Sequence, residues 1–197
     1  MRIVTYGAAC SLDGFIAAAD GGIDWLHFSR DVQDIMATYW ATIDTVLMGR
    51  KTWDFAATQQ GGGGGSDGGR RTKRGPAKGG RTARGRRGPT TYVFSRTLTE
   101  DPAPGVRLVS SDPGAFVREL KAQPGKGICV MGGGELARSL LEADVIDEVG
   151  LNVHPILLGT GVPLFRDAGR RIPLELIESR TIDGGCVYAT YRVRHAS

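Results

Sequence analysis

Residues 128–137, Ile128-Cys129-Val130-Met131-Gly132-Gly133-Gly134-Glu135-Leu136-Ala137, join an apolar run to a helix-forming segment through three glycines. The pattern predicts a buried strand, a tight turn and the start of a helix. Because glycine has no Cβ to block a ligand, and because the first N–H groups of a helix lack intrahelical partners, this corner suits an anion such as a pyrophosphate. The spacing Gly132-x-Gly134-x-x-Ala137 also fits a dinucleotide-binding fingerprint. The alternative is that the glycines only close a turn between a strand and a helix.

Two further strand ends carry cations. A short buried strand over 45–48 leads into Gly49-Arg50-Lys51-Thr52, and a second strand over 91–94 is followed by Ser95-Arg96. In open α/β sheets, ligands bind in the crevice at the carboxyl ends of the strands. Both corners are therefore candidate ligand contacts, although a basic pair on a solvated surface loop is the alternative.

The rest of the chain alternates short apolar strands with amphipathic helices and then changes to consecutive strands. Apolar side chains over 31–43 recur at helical spacing, and Asp112-Pro113 opens a second helix. Strand patterns cover 147–154, 174–179 and 186–193. Asp183-Gly184-Gly185 separates the last two of these and predicts a hairpin. The fold class is therefore α/β with an antiparallel C-terminal edge.

Composition limits the classes of protein that the chain can belong to. At 197 residues and 41% hydrophobic, one domain covering 1–197 is expected. No apolar run approaches the roughly 20 residues that span a bilayer, and no signal segment begins the chain, so we expect a cytoplasmic protein. Cys10, Cys129 and Cys186 are few, odd in number and without C-x-x-C spacing, which predicts core thiols rather than disulfides or a metal site. A reactive cysteine is the alternative.

Residues 59–89 differ in composition from the rest of the chain. Between Gly61 and Pro89 lie nine of the 25 basic residues and one of the 21 acidic residues, so the net charge of +4 becomes −4 for the remainder. The segment is rich in glycine and arginine and holds no aromatic or branched aliphatic residue, which predicts a disordered insert. Phosphate charge supports at most non-specific nucleic-acid contact, because the segment lacks aromatic side chains on which bases stack.

The position of the glycine corner argues against a doubly wound dinucleotide fold. That fold has its fingerprint after the first strand and an acid at the carboxyl end of the next one. Here the glycines come after about two thirds of the chain, and Asp147 and Glu148 lie at the start of the following strand.

Five blocks, read in order, resemble one family. They are Ser11-Leu12-Asp13-Gly14-Phe15-Ile16-Ala17, Val46-Leu47-Met48-Gly49-Arg50-Lys51-Thr52, Phe94-Ser95-Arg96, Val130-Met131-Gly132-Gly133-Gly134-Glu135-Leu136 and His154-Pro155-Ile156-Leu157-Leu158-Gly159. On these blocks the chain is identified as a stand-alone member of the dihydrofolate-reductase-like family, similar to the C-terminal reductase domain of the riboflavin-biosynthesis deaminase/reductase. The resemblance covers nearly everything outside 59–89.

The resemblance implies a mostly parallel eight-stranded sheet with an antiparallel C-terminal hairpin and helices on both faces. It further implies NADPH as cofactor and hydride transfer to a small heterocycle of pteridine, flavin-precursor or aminopyrimidine type. The implied cofactor contacts are Gly49, Arg50, Lys51 and Thr52 on the adenosine side, Ser95 and Arg96 at the 2′-phosphate, and Gly132, Gly133, Gly134, Glu135 and Leu136 at the pyrophosphate. The charge of a 2′-phosphate gives Arg50, Lys51 and Arg96 a physical reason to prefer NADPH over NADH.

On the substrate side, Asp13 is the candidate catalytic residue, which would orient the substrate or relay a proton. The alternative for Asp13 is a turn residue only. Ala9 and Trp25 are candidate substrate contacts, and a core tryptophan is the alternative for Trp25. Dihydrofolate reductases bind pteridine through an acid on their first helix, a position that Asp31 or Asp34 would occupy.

Two other functions and one assembly state are also compatible with the sequence. The chain could be a non-catalytic protein of this fold that binds a nucleotide or flavin, or a nucleic-acid partner acting through its basic insert. Residues 174–193 alternate apolar positions without a proline, which predicts a symmetric homodimer joined through this hairpin. An edge shielded by the chain's own loops is the alternative.

Overall fold

The computed structural model describes residues 1–61 and 88–195, in which eight strands form one sheet and two more form a separate small pair. The strands are β1 (Val4–Ser11), β2 (Phe15–Ala18), β3 (Ile43–Gly49), β4 (Thr90–Phe94), β5 (Val106–Val109), β6 (Gly127–Met131), β7 (Glu148–His154), β8 (Gly161–Pro163), β9 (Leu174–Ile182) and β10 (Cys186–Val193). The helices are α1 (Arg30–Ala41), α2 (Arg50–Gly61), α3 (Pro113–Ala122) and α4 (Gly134–Glu142).

The large sheet has the strand order β5-β4-β3-β6-β1-β7-β10-β9. The first six strands in this order pair in parallel with their neighbours, whereas β10 pairs antiparallel with both β7 and β9. This arrangement confirms the predicted α/β fold with an antiparallel C-terminal hairpin. Because parallel strands end at the same edge of a sheet, the loops after β4, β3, β6, β1 and β7 are neighbours in that order.

Helices cover both faces of the sheet, as predicted. On one face, aromatic side chains of α1 and α2 pack on a small buried cluster that includes Val46 and Met48 of β3. On the other face, α3 and α4 bury Val117, Leu120 and Leu140 in the larger core. Helix α1 has no fully buried residue, so it lies on the sheet through a half-buried stripe.

The starts of the helices differ in how their free N–H groups are satisfied. The hydroxyl of Ser29 accepts a hydrogen bond from Val32 N–H at 3.2 Å, and Asp112 Oδ1 accepts one from Ala115 N–H at 2.8 Å. Helix α4 is instead preceded by Gly133 at the capping position, which has no side chain to supply such a cap. Its first N–H groups therefore have no side-chain acceptor from the capping position.

Some predicted boundaries were wrong. Ile43, predicted as part of the first helix, begins β3, because α1 ends where Thr42 N–H donates to Tyr39 O at 2.9 Å. Helix α2 was not predicted, and it continues to Gly61, within the first residues of the predicted insert over 59–89. Residues 62–87 lie outside the described residues, and so do the disorder and the nucleic-acid contact predicted there. Strand β8 was also not predicted, because its three residues are a strand only through their pairing with β2.

The three cysteines are buried free thiols, as predicted. Burial raises the pKa of Cys10 and of Cys129 to about 11, which keeps both protonated at neutral pH. Among residues 1–61 and 88–195, no helix is long and apolar enough to cross a membrane.

Strand β8 depends on a glycine, because a Cβ on Gly161 would collide with the carbonyl oxygen of Ala17 in β2. We expect Gly161→Ala to lower the free energy of unfolding by about 1 to 3 kcal/mol, since β2 and β8 would have to separate. Gly150→Ala is the matched control, because its Cβ would meet only Thr5 Cγ2, at 3.9 Å. Urea unfolding measures both variants, and equal stabilities would contradict the predicted dependence on Gly161.

Candidate functional site

The predicted cofactor residues gather at the carboxyl edge of the large sheet. Ser95 and Arg96 follow β4, the segment from Gly49 to Thr52 ends β3 and begins α2, and the glycines follow β6. These three strands are adjacent in the sheet, with β1 next in order. Residues that are far apart in the chain thus form one continuous row of loops.

The glycine turn and the loop after β3 touch each other. Gly132 and Gly133 have φ angles of +53° and +75°, values that favour glycine. A Cβ on Gly133 would lie 3.0 Å from Thr52 Oγ1, and one on Gly49 would lie 3.8 Å from Leu136 Cβ. The predicted adenosine-side and pyrophosphate-side corners are therefore in contact with each other.

Helix α4 presents its amino end to this row of loops. Its first intrahelical hydrogen bond runs from Ala137 N–H to Gly133 O at 3.1 Å, so the N–H groups of Gly134, Glu135 and Leu136 precede the helical ladder. The N-terminal end of a helix attracts anions through these groups and through the helix dipole. The exposed carboxylate of Glu135 opposes that attraction and pairs with Arg138 and Arg166.

The loop after β4 is held by a hydroxyl. The Ser95 side chain is buried and accepts hydrogen bonds from Thr97 N–H at 3.2 Å and Leu98 N–H at 3.1 Å. Arg50 reaches across from α2 and donates to Thr97 Oγ1 at 3.3 Å and to Asp54 Oδ2 at 2.9 Å. Ser95 therefore shapes the loop, and sequence reasoning missed Thr97, which joins that loop to α2.

Cations are concentrated at this end of the row. Arg96 and Lys51 are exposed, and neither makes an ion pair with any residue in the described ranges. Arg50 lies beside them on α2. The corner between β3 and β4 thus combines three cations with a loop that the Ser95 hydroxyl shapes, and its contact with a phosphate stays a prediction.

Asp13 lies after β1 and connects two loops. Its carboxylate accepts hydrogen bonds from Ser11 Oγ at 2.6 Å, Gly159 N–H at 2.7 Å and Leu158 N–H at 3.2 Å. The Ser11 hydroxyl is the main cause of a lowered Asp13 pKa, assisted by the two backbone N–H groups. At neutral pH Asp13 is therefore an anion that accepts hydrogen bonds, and its contact with a substrate stays a prediction.

The sheet has an open floor at Gly7 in β1. Gly7 faces Gly150 across β1 and β7, and a Cβ on Gly7 would meet no atom within 4 Å. Two residues further on, Ala9 faces Asn152 in the same register. Ala9 thus borders an unfilled surface, which is compatible with its predicted role in binding a substrate.

Trp25 packs beside this floor against a histidine that sequence reasoning had left without a role. The Trp25 and His154 rings meet edge to face, with centroids 5.4 Å apart. Trp25 Nε1–H donates to Gly22 O at 3.3 Å, so the ring is held in place by its own loop. The half-buried position of Trp25 is compatible with both alternatives, a wall of the substrate pocket and a core residue.

His154 is buried and joins three segments. Its Nδ1 lies 3.4 Å from His27 N and 3.4 Å from Cys186 Sγ, and its Nε2 lies 3.2 Å from Asn152 Nδ2. Burial lowers the His154 pKa, with a smaller contribution from the charge of His27, so the ring is neutral at pH 7. Asn152 and His154 are two positions apart in β7, and alternating side chains of a strand point to the same face. This spacing in the sequence could have indicated that the two side chains meet.

The two acids on α1 differ in their contacts, and the binding of a pteridine by either stays a prediction. Asp31 Oδ2 accepts a hydrogen bond from Asp183 N–H at 3.1 Å, so Asp31 holds the turn between β9 and β10. Asp34 is exposed.

A cavity of about 390 Å³ opens elsewhere, at the amino ends of the strands. Thr5, Tyr39 and Glu148 are among the residues that line it, and it holds none of the predicted site residues. The carboxyl edge therefore remains the candidate site.

Comparison with known proteins places the fold and then the family. A putative riboflavin biosynthesis protein from Shewanella sp. PV-4 superposes with a TM-score of 0.78 at 26% identity, over 98% of this chain and 100% of that one. The bifunctional diaminohydroxyphosphoribosylaminopyrimidine deaminase/5-amino-6-(5-phosphoribosylamino)uracil reductase from Thermotoga maritima superposes with a TM-score of 0.68 at 18% identity, over 98% of this chain and 57% of that one. YyaP of Bacillus subtilis (strain 168), described as uncharacterized, is 30% identical over 191 residues, which are 96% of this chain and 94% of YyaP.

The fold is therefore the dihydrofolate-reductase-like fold of the riboflavin-biosynthesis reductase domains. Residues 2–188 match the model of the RibD C-terminal domain. The chain belongs to the RibD C-terminal domain family, as the five sequence blocks had indicated.

The Asp13 carboxylate should determine how firmly the loop after β7 is held. The pKa of Asp13 is lower in the folded protein than in the unfolded chain. The stabilisation that its carboxylate gives to this loop is therefore present above about pH 4 and is lost as the pH falls through the folded-state pKa. We expect the amide protons of Leu158 and Gly159 to lose protection from hydrogen exchange in that acid range. Asp13→Asn should lose the same protection at pH 7, because the amide group replaces one acceptor oxygen by a donor.

Asp20→Asn is the control for this measurement, since Asp20 Oδ1 accepts a hydrogen bond only within its own turn, from Gly22 N–H at 2.8 Å. Unchanged protection of Gly159 in Asp13→Asn would show that the carboxylate does not hold this loop.

Proposed function

We propose that this protein is an NADPH-dependent reductase that transfers a hydride to a small heterocyclic substrate of pteridine, flavin-precursor or aminopyrimidine type. The observation that carries the proposal is the glycine turn after β6, with Thr52 on one side and the cations after β3 and β4 beyond it. Family membership supports a reductase of the aminopyrimidine type. A cytoplasmic location is part of the same proposal.

Each loop at the carboxyl edge of the large sheet has one role in the proposed complex with NADPH. Gly132, Gly133 and Gly134, with the N–H groups of Glu135 and Leu136, hold the pyrophosphate. Gly49, Arg50, Lys51 and Thr52 hold the adenosine side, and Ser95 shapes the loop that carries Arg96 to the 2′-phosphate. Bound NADPH supplies the hydride, and the protein supplies alignment.

The substrate would lie over the open floor next to β1. Gly7 and Ala9 leave room for a flat ring, and Trp25 closes one side of that space. Asp13 acts as the residue that orients this end of the site, because its three hydrogen bonds fix the loop after β7 beside β1.

Two measurements on the full chain test the proposal. NADPH should bind with a change in its fluorescence, and NADPH should be oxidised in the presence of at least one compound among dihydrofolate, flavins and aminopyrimidine ribityl or ribosyl compounds. No fluorescence or stability change at millimolar NADPH would rule the reductase out.

A second candidate is a protein of the same fold that binds a nucleotide or flavin without turnover. It is favoured by the low pKa of Asp13, which has no proton to give at neutral pH. This candidate predicts cofactor binding without NADPH oxidation in any substrate mixture.

The exposed cation after β4 gives the first prediction on cofactor choice. Arg96→Ala should weaken NADPH about tenfold to a hundredfold and leave NADH nearly unchanged, because a charge-assisted contact contributes about 1.5 to 3 kcal/mol and only NADPH carries the 2′-phosphate. Fluorescence titration of both cofactors measures the ratio.

Arg107→Ala is the matched control, since Arg107 is an exposed arginine on the adjacent strand β5. It should change neither affinity. Equal losses for NADPH and NADH in Arg96→Ala would place Arg96 away from the 2′-phosphate.

The C-terminal hairpin suits a homodimer, which forms part of the proposal. Strand β9 ends the sheet, so its outer backbone edge has no neighbouring strand among the described residues. The hairpin also exposes large apolar side chains, namely Leu174, Leu176, Ile177 and Val187. A second copy would cover both the edge and these side chains.

We expect the chain without residues 60–88 to scatter light as a dimer at micromolar concentration, and Leu176→Glu to shift it to a monomer by placing a charge in the interface. Deleting 60–88 prevents bound nucleic acid from raising the mass. Leu157→Glu, at an exposed leucine outside the hairpin, should stay dimeric. A monomer of about the chain mass without any substitution would exclude the dimer and leave the reductase proposal intact.

A further inference from the structure

The segment after β8 crosses directly over the first residue of α4. A Cβ on Gly134 would lie 3.1 Å from Pro163 O and 3.2 Å from Arg166 Cγ. The segment is anchored two residues earlier, where Leu164 O accepts a hydrogen bond from Tyr6 Oη at 2.9 Å and Leu164 N–H donates to Gly14 O at 2.8 Å. The aliphatic part of Arg166 is therefore held against the glycine turn.

The guanidinium of Arg166 forms a weak ion pair with Glu135, which another anion can displace. Its Nε lies 3.5 Å from Glu135 Oε1, and the side chains are 48% and 65% exposed. Ion pairs at such exposure and distance contribute little to stability. A ligand with a stronger negative charge can therefore replace Glu135 as the partner of Arg166.

A pyrophosphate at the amino end of α4 would lie beside the carboxylate of Glu135. The two negative charges repel each other, so binding there needs a nearby cation to offset the repulsion. Arg138 and Arg166 are the described cations that pair with Glu135. Arg138 lies one turn further along α4 and also pairs with Glu142, at 3.1 Å. Arg166 instead crosses the turn itself, so its guanidinium has the shorter path to an anion bound there.

We propose that Arg166 is a cofactor-binding residue that leaves Glu135 and donates to the pyrophosphate when the dinucleotide binds. This inference rests on the proposed function, since it assigns a further residue to the same cofactor site. The exchange needs only rotation about side-chain torsions, because the backbone at Leu164 is already anchored. Arg166 thus acts on the part that NADPH and NADH share, whereas Arg96 acts on the 2′-phosphate.

The test compares three ligands on the full chain: NADPH, NADH and adenosine 2′-monophosphate, which lacks the pyrophosphate. Arg166→Ala should weaken NADPH and NADH by the same factor, about tenfold to a hundredfold, and should leave adenosine 2′-monophosphate unchanged. Glu135→Gln should tighten both dinucleotides, because it removes the repulsion and releases Arg166. Glu135→Gln also keeps the test valid if Arg166→Ala lowers the melting temperature.

Arg138→Ala is the matched control, because Arg138 is the other cation that pairs with Glu135 and lies further along α4, away from the glycine turn. It should change the affinity for each ligand less than about twofold. The proposal is overturned if Arg166→Ala leaves both dinucleotides unchanged, or if it weakens NADPH and adenosine 2′-monophosphate but not NADH. If the unsubstituted chain binds neither dinucleotide, the proposed function fails as well, so the two failures are distinguishable.

Discussion

The chain leaves β6 through two successive residues with positive φ, Gly132 and Gly133, and this turn constrains everything at the carboxyl edge of the sheet. A side chain at Gly133 would be strained and would also press against the Thr52 hydroxyl. The turn therefore allows α2 and α4 to approach closely at neighbouring strand ends. It also leaves the amino end of α4 without a side-chain cap, which keeps N–H groups available at the edge where the loops after β4, β3, β6, β1 and β7 meet.

Two side-chain acceptors help to hold the loops near the carboxyl ends of β1 and β7. The Asp13 carboxylate holds the loop after β7, and the neutral His154 ring holds the segment before α1 through His27 N–H. Each acceptor holds one segment that has no regular secondary structure of its own. A buried neutral histidine is suited to this role, because burial disfavours the charged form that would lose its acceptor.

Local charge matters more at this edge than the net charge of the chain. Cations cluster after β3 and β4, where Arg50 and Arg96 lie, while the first turn of α4 carries the acid Glu135. The two parts of this edge therefore differ in charge. The loops after β3 and β4 carry exposed cations, whereas the amino end of α4 carries free backbone N–H groups beside a carboxylate that pairs with Arg138 and Arg166.

The sequence by itself determined the fold class, the glycine turn and the row of strand ends, because these depend on periodicity, on glycine's freedom at positive φ and on motifs of consecutive residues. Only the tertiary structure decided the crossing of Arg166 over Gly134, the anchoring of Gly159 by Asp13 and the existence of β8. Asp13 and Gly159 are 146 residues apart in the chain. No local pattern encodes such a contact, since its geometry follows from how whole strands pair and where their loops then cross.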